Sequence, residues 1–410
     1  MADQETEISE RGPLPLDGVR VIEYAGFHAG PGGSAILGDL GAEVLKVEEF
    51  GGDPMRSWKE IAGVQFSLPG GEGLPFQFTC RNKKSVSLDI RSEKGWEIFC
   101  RMIRSADVFV TNLRRSTKAR LGIDYGGISA VNPRIIYAAV SGFGPEGPLS
   151  DKGAYDPIGQ ASAGMMFATG TEEPALIQLA VLDQTTSIAF SHAILAALFM
   201  RERRGVGQEV HVSLYGTALW MLYTNLALAG CNFAREIPGD RLRFSPLRNY
   251  YRCKDGKWII GTHHPEERYW PLLCEATGLT SLLSDPRLSD PSQCERRPEV
   301  IRLLDEVFAT KESAEWLEIL NGQGLMFGPV QRVKNVLTDP QALANGYVRE
   351  YDHPVMGKVM IPGYPATFGA ADPGTRSMAP ALGEHTEIVL RELGYSNEEL
   401  KRLRMERVIQ

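Results

Sequence analysis

Hydrophobic and polar positions fall into alternating blocks along the first half of the chain. VRVIEY (19–24), EVLKVE (43–48), SVSLDI (85–90), DVFVTN (107–112) and RIIYAAVSGFG (134–144) are short apolar or alternating runs bounded by turn-forming residues. That texture predicts strands. Longer segments with helical spacing lie between them. Pro31 to Leu40 opens on a proline, which suits a first helical turn. Trp96, Phe99, Cys100 and Ile103 recur at i, i+3, i+4 and i+7, one face of a further helix. Strands that alternate with helices predict an α/β fold, with a mostly parallel sheet covered on both faces.

After about residue 230 the pattern changes. NYYRCKDGKWIIGTHH (249–264) reads as a hairpin closed by a KDG turn, and PEVIRLLDEVFAT (298–310) and SAEWLEILNGQG (313–324) read as helices. The expected organisation is a flexible arm over 1–14, the first part of a large domain over 15–230, and a small α+β domain over 231–335. Residues 336–410, with short strands in KVMIPGYPATF (358–368) and a final helix, form the remaining segment.

The longest apolar run, Ile188 to Met200, is too short to span a bilayer. The amino-terminal MADQETEISERGPLPL is too acidic and polar for a secretory signal. A net charge of −7 argues against nucleic acid or an anionic membrane as partner. The six cysteines (80, 100, 231, 253, 274 and 294) form no CxxC, and the seven histidines suggest no metal site. The expectation is a cytoplasmic protein without a metal.

Three motifs could carry chemistry. In AGFHAGPGGSA (25–35), Gly30, Gly32 and Ala35 satisfy G-x-G-x-x-A, with Glu48 near the distance of a ribose-binding acid. Gly30 comes late after the strand and Pro31 occupies the turn, so a glycine-rich connection for close backbone packing is an equal reading. Lys83-Lys84 and RRSTKAR (114–120) are local basic clusters beside predicted strand ends, suited to phosphate or to a solvated face. Asp183 stands alone before the apolar run. As an N-cap it needs no further role. The same corner would also keep a poorly solvated carboxylate ionised, a nucleophile towards acyl groups.

PLDGVRVIE…AGP (15–31), GDLGAEVLKVE (38–48), NKKSVSLD (82–89), ADVFVTN (106–112), LGIDY (121–125), YDPIGQASAG (155–164), LDQTTSIAFSHAILAALFMRERRGVGQEVHVSL (182–214) and LGEHTEIVLRELG (382–394) occur in this order. Together they resemble the class III CoA-transferases over nearly the whole chain. The resemblance implies a Rossmann-like large domain built from both chain ends, a small α+β domain and an interlocked dimer. It implies transfer of CoA through a mixed aspartyl anhydride and an aspartyl-CoA thioester, with Asp183 as nucleophile. Phe27, His28, Ala29 and Tyr155 match the acyl and oxyanion loop, with His28 in place of a glutamine of formyl-CoA transferase. Lys83, Asn112, Leu113 and Arg120 match CoA-lining positions. Glu49 replaces an arginine that helps hold the nucleotide, and residues 114–118 could compensate.

No permanently bound cofactor is expected; a coenzyme A thioester is the substrate. The partners are an acyl-CoA, a carboxylic acid and either an identical or a related second subunit. Arg241, Arg243 and Arg248 are candidates for an acceptor carboxylate. Succinyl-CoA as donor and an aromatic or branched dicarboxylic acid such as benzylsuccinate as acceptor complete the expectation. The racemase branch of the family is the alternative. It needs a second acid/base at position 155, where Tyr155 is a poor base near neutral pH. A non-catalytic subunit is a third reading.

Overall fold

The computed structural model describes residues 12–61, 63–168, 170–231, 239–284 and 297–410. Most of the predicted arm, residues 1–11, and Cys294 lie outside the described residues. Six strands form one parallel sheet: β1 (Arg20–Tyr24), β2 (Glu43–Glu48), β3 (Lys83–Ser87), β4 (Val108–Thr111), β5 (Ile136–Ser141) and β6 (Gln208–Ser213). Their spatial order is β3-β2-β1-β4-β5-β6, the order of a doubly wound Rossmann sheet. The predicted α/β class and parallel sheet are present.

Strand alternation sorts side chains to two cores. Val21, Val44, Val108 and Ile136 face one side, against Leu37 of helix α1 (Ala29–Asp39) and Phe190 and Ile194 of the long apolar helix. Their neighbours Ile22, Leu45, Phe109 and Tyr137 face the other. There they meet Ile98, Phe99, Met102 and Ile103 of α2 (Glu93–Arg104). Ser92 caps α2 by accepting the Gly95 N–H, and Arg101 and Arg104 occupy its last turn. The same core takes Val389, Leu390, Leu400 and Leu403 from two helices near the carboxyl end.

The sequence reading missed β6. QEVHVS alternates polar and apolar residues, but it follows the apolar helix so closely that it reads as that helix's exit. It also placed the third strand at 85–90. The strand runs over 83–87, and Leu88 instead forms an antiparallel bridge with Ile409.

The chain divides into two compact units. One comprises residues 1–166, 176–226 and 344–410, and the other residues 167–175 and 227–343. Within the second unit, three antiparallel strands, Tyr250–Arg252, Trp258–Gly261 and Phe327–Val330, support a separate core. In it Tyr251 stacks on Phe308 with ring centroids 4.4 Å apart. The predicted hairpin is its first strand pair, turning at Gly256 with φ of 76°.

Candidate active site

In a doubly wound sheet, ligands enter the crevice at the carboxyl ends of strands whose connections diverge. Here β1 and β4 are those strands. An open cleft of about 1590 Å³ lies at their carboxyl ends, within the first unit. It is lined by the turn after β1, the segment after β2, and helix α3 (Arg115–Leu121) after β4. The segment after β5 and Asp183 complete the lining.

Asp183 lies in the first turn of a 24-residue helix, α5 (Val181–Arg204); α4 (Asp156–Ser162) precedes it in the chain. The sequence suggested Asp183 as the N-cap at a strand–helix corner. Among the described residues no strand leads directly into α5, and Asp183 caps nothing. The cap is supplied by Asp156, whose Oδ2 accepts the N–H groups of Leu182 (2.6 Å) and Asp183 (3.0 Å). Those N–H groups are therefore spent on a second carboxylate. The Asp183 carboxylate accepts no hydrogen bond among the described residues; only its backbone carbonyl takes the Ser187 hydroxyl, at 3.0 Å. Burial, then the nearby Asp156 charge, push its pKa up to about 7. This corrects the expectation of a carboxylate kept ionised by the helix end, because the N–H groups there are given to Asp156 instead.

Facing it is the turn after β1. Phe27 holds φ of 63°, and Leu179 and Ala180, just before α5, hold 65° and 60°. L-residues with a side chain rarely adopt this left-handed region, so strain gathers at the turn after β1 and at the start of the helix that carries Asp183. The Phe27 ring meets Trp58 and Tyr155 edge-on, with centroids 5.7 and 5.5 Å away. His28 Nε2 lies 3.2 Å from Gln184 Oε1, and burial lowers the imidazole's pKa. His28 is thus neutral near pH 7.

The glycines of AGPGGSA do not cradle a dinucleotide. They lie inside α1, where a Cβ on Gly33 would come within 2.6 Å of Phe190 Cδ1. A Cβ on Gly32 would collide with Ser187. Their smallness lets α1 lie close against α5, the close-packing reading. Glu48, the candidate ribose acid, binds Arg56 (2.7 Å), the Ser85 hydroxyl (2.7 Å) and the Asp53 N–H (2.9 Å). It has no carboxylate oxygen left unpartnered.

Phe27, His28, Ala29, Asn112, Leu113, Arg120, Tyr155 and Asp183 all line the cleft. The Asn112 carboxamide, however, is engaged with the backbone N–H and C=O of Gly26. Lys83 does not line the cleft. It is fully buried, with Nζ 2.6 Å from Glu23 and 2.8 Å from the Pro31 carbonyl. Arg241, Arg243 and Arg248 belong to the second unit. Arg241 is paired with Asp305, whereas Arg243 and Arg248 are exposed.

Sequence reasoning passed over Asp156, Gln160 and Arg91. Asp156 and Gln160 stand four apart on α4, both buried. Gln160 holds the backbone of Ile177 through both of its amide atoms. The signal was present: two polar residues at i and i+4 on a short helix opening Asp-Pro. Arg91 lines the cleft beside Glu49, 3.6 Å away. With Arg114, Arg115, Lys118 and Arg120 it provides cations on the cleft wall that suit phosphate groups.

The profile of CoA-transferase family III matches residues 16–386. An acyl-CoA transferase of Fusarium pseudograminearum is 33% identical over 96% of this chain and 88% of its own. Succinyl-CoA:glutarate CoA-transferase of Mus musculus is 32% identical over 92% of this chain and 86% of its own. The crystal structure of a CAIB/BAIF family protein from Brucella suis superposes with a TM-score of 0.79 and 29% identity, covering 93% of this chain and all of that one. The chain therefore belongs to CoA-transferase family III and is a CoA-transferase.

Proposed function

We propose that Asp183 carries CoA from a donor acyl-CoA, succinyl-CoA, to a carboxylic acid. The observation that carries this reading is the unpaired, partly buried Asp183 carboxylate at the cleft wall, with a pKa near 7. A carboxylate of that basicity is a stronger nucleophile than one at the ordinary value, and about half of it is ionised at neutral pH.

Asp183 attacks the thioester carbonyl, CoA thiolate leaves, and a mixed anhydride forms. The thiolate attacks the aspartyl carbonyl, which releases the donor acid and leaves an aspartyl-CoA thioester. The acceptor carboxylate attacks that thioester, again expelling the thiolate, and a second anhydride forms. The thiolate then attacks the acceptor's acyl carbon, restoring Asp183 and releasing the new acyl-CoA. Each addition builds an oxyanion, for which the backbone N–H groups of His28 and Ala29 supply the expected donors, that of Phe27 being given to Asp53. Arg91 and the basic residues 114–120 hold the nucleotide phosphates, in place of the arginine absent at Glu49. Arg243 and Arg248 remain candidates for an acceptor carboxylate.

The mouse relative supports succinyl-CoA as donor; benzylsuccinate belongs in the panel of acceptors. Exposed Phe199, Trp220 and Tyr223 on the first unit support burial against a second subunit, as an interlocked dimer requires. The five described cysteines are unpaired, which supports a reducing compartment such as the cytoplasm. Among the described residues no helix is long and apolar enough to cross a membrane.

Mass spectrometry after incubation with succinyl-CoA and hydroxylamine or borohydride trapping tests the mechanism. A modification on Asp183, absent in Asp183→Ala, is the expected result. α-Proton exchange without an adduct would move the assignment to a racemase. CoA binding without either would indicate a silent subunit.

A further inference from the structure

Four charged side chains are sealed beneath the turn after β1, and the transfer chemistry uses none of them. Glu23, Lys46, Asp53 and Lys83 form one connected cluster, with Lys46, Glu23 and Lys83 side chains wholly inaccessible. Lys46 Nζ reaches Glu23 Oε1 (2.7 Å), Asp53 Oδ2 (2.8 Å) and the Ala25 carbonyl (2.8 Å). The Glu23 and Ala25 contacts are hydrogen bonds, and the Asp53 contact is an ion pair that leaves Asp53 Oδ2 without a hydrogen bond among the described residues. Lys83 Nζ reaches Glu23 Oε2 (2.6 Å) and the Pro31 carbonyl (2.8 Å). The two lysines therefore grip the two ends of the turn, Ala25 and Pro31, and Glu23 ties them together. Asp53 grips the middle: its Oδ1 accepts the N–H of Phe27 (3.2 Å) and of Met55 (2.9 Å). Phe27 is the residue held at positive φ.

Burying this many charges is costly, and a hydrophobic filling is often at least as stable. The arrangement is better explained by what it holds. We propose that the Glu23–Lys46–Asp53–Lys83 cluster is a positioning device for the transfer reaction, which locks Phe27 in its left-handed conformation and so aims the His28–Ala29 backbone at the acyl group on Asp183. Asp53 and Lys46 are positioning residues and do not touch substrate. This rests on the reading of that turn as the acyl cradle.

Asp53→Asn tests it. A carboxamide at 53 is frustrated either way round. Its NH2 must face the Lys46 ammonium or the two N–H groups, so the turn loses its hold while the fold keeps its shape. The expected result is a fall in kcat of about 10- to 100-fold, the cost of a misplacement on the order of 1 Å. The Kd for free CoA, measured by calorimetry, stays within about twofold, because the nucleotide contacts are elsewhere. Phe27→Gly removes the conformational penalty, so Asp53→Asn costs at least about fivefold less in that background. Should Asp53→Asn not accumulate, Asp53→Ala is measured in both backgrounds instead.

Unchanged kcat in a variant whose parent transfers CoA overturns the inference alone. So does a loss of melting temperature with equal losses in kcat and CoA affinity, or an absence of coupling to Phe27→Gly. If the wild-type protein itself neither transfers CoA nor forms the Asp183 adduct, the acyl-cradle reading fails and the inference fails with it.

Discussion

Asp183→Asn is expected to stabilise the protein, and to do so more strongly as pH rises. The substitution keeps the shape of the side chain and removes only its charge. In the folded chain the Asp183 carboxyl is pushed from its ordinary 3.8 up to about 7, first by burial and then by Asp156. A raised carboxyl pKa means that the folded state binds the proton more tightly than the unfolded one. Stability is therefore lost as pH climbs from about 4 to about 7 and is flat above. The full shift corresponds to about 4 kcal/mol, as a ceiling, at 1.36 kcal/mol per pKa unit. Of this, about 2.5 kcal/mol accumulates between pH 5 and pH 8. Asparagine carries none of that penalty. Urea titrations of wild type and Asp183→Asn at pH 5 and pH 8 read the difference directly. A stabilisation by Asp183→Asn that is larger at pH 8 by one to a few kcal/mol, on the order of that figure, is the expected outcome. An equal effect at both pH values would refute the reasoning, because it would show that Asp183 is not desolvated as its surroundings dictate.

Three further outcomes follow from the same geometry. In the wild type, kcat/KM for transfer rises with pH through an acid limb near 7, as Asp183 deprotonates, and Asp156→Asn moves that limb to lower pH; a pH–rate profile of both proteins checks it. Gly33→Ala drives a methyl into Phe190 across the α1–α5 contact and is expected to cost about 1–3 kcal/mol in a denaturant titration, with a fall in activity as Asp183's helix shifts. Arg91→Ala is expected to raise KM for acyl-CoA about three- to tenfold with little change in kcat, since an exposed cation near a phosphate contributes to ground-state and transition-state binding alike; steady-state kinetics at two ionic strengths separates charge from packing.

Period-two runs marked five of the six parallel strands, because buried strands in such a sheet are written in Val, Ile and Phe. QEVHVS was hidden by its neighbour: the apolar helix before it carries the stronger pattern. Asp183 was legible as a lone carboxylate before an apolar run, but its charge state was not. That depends first on the burial of Asp183 in the fold and then on the charge of Asp156, distant in sequence, which takes the N–H groups at the start of α5. Lys83 shows the opposite failure. Its basic dipeptide looked like a phosphate site, yet strand alternation turns Lys83 inward onto Glu23 and leaves Lys84 on Glu43. A charge pattern alone does not reveal which lysine faces water.

The antiparallel bridge between Leu88 and Ile409 has a consequence for how the chain is made. Asp89 donates its N–H to the Val408 carbonyl, and Val408 and Ile409 are both buried. On a translating ribosome these contacts become available only after more than three hundred further residues have been added. At ordinary synthesis rates that is roughly a quarter of a minute to a minute. Until then, the part of that sheet face that α2 does not cover, and that will receive Leu390, Leu400 and Leu403, is an uncovered apolar surface on a nascent chain. Premature termination shortly before residue 400 would therefore leave the cleft and Asp183 on an aggregation-prone molecule, one that exposes hydrophobic strands for chaperones and proteases to find.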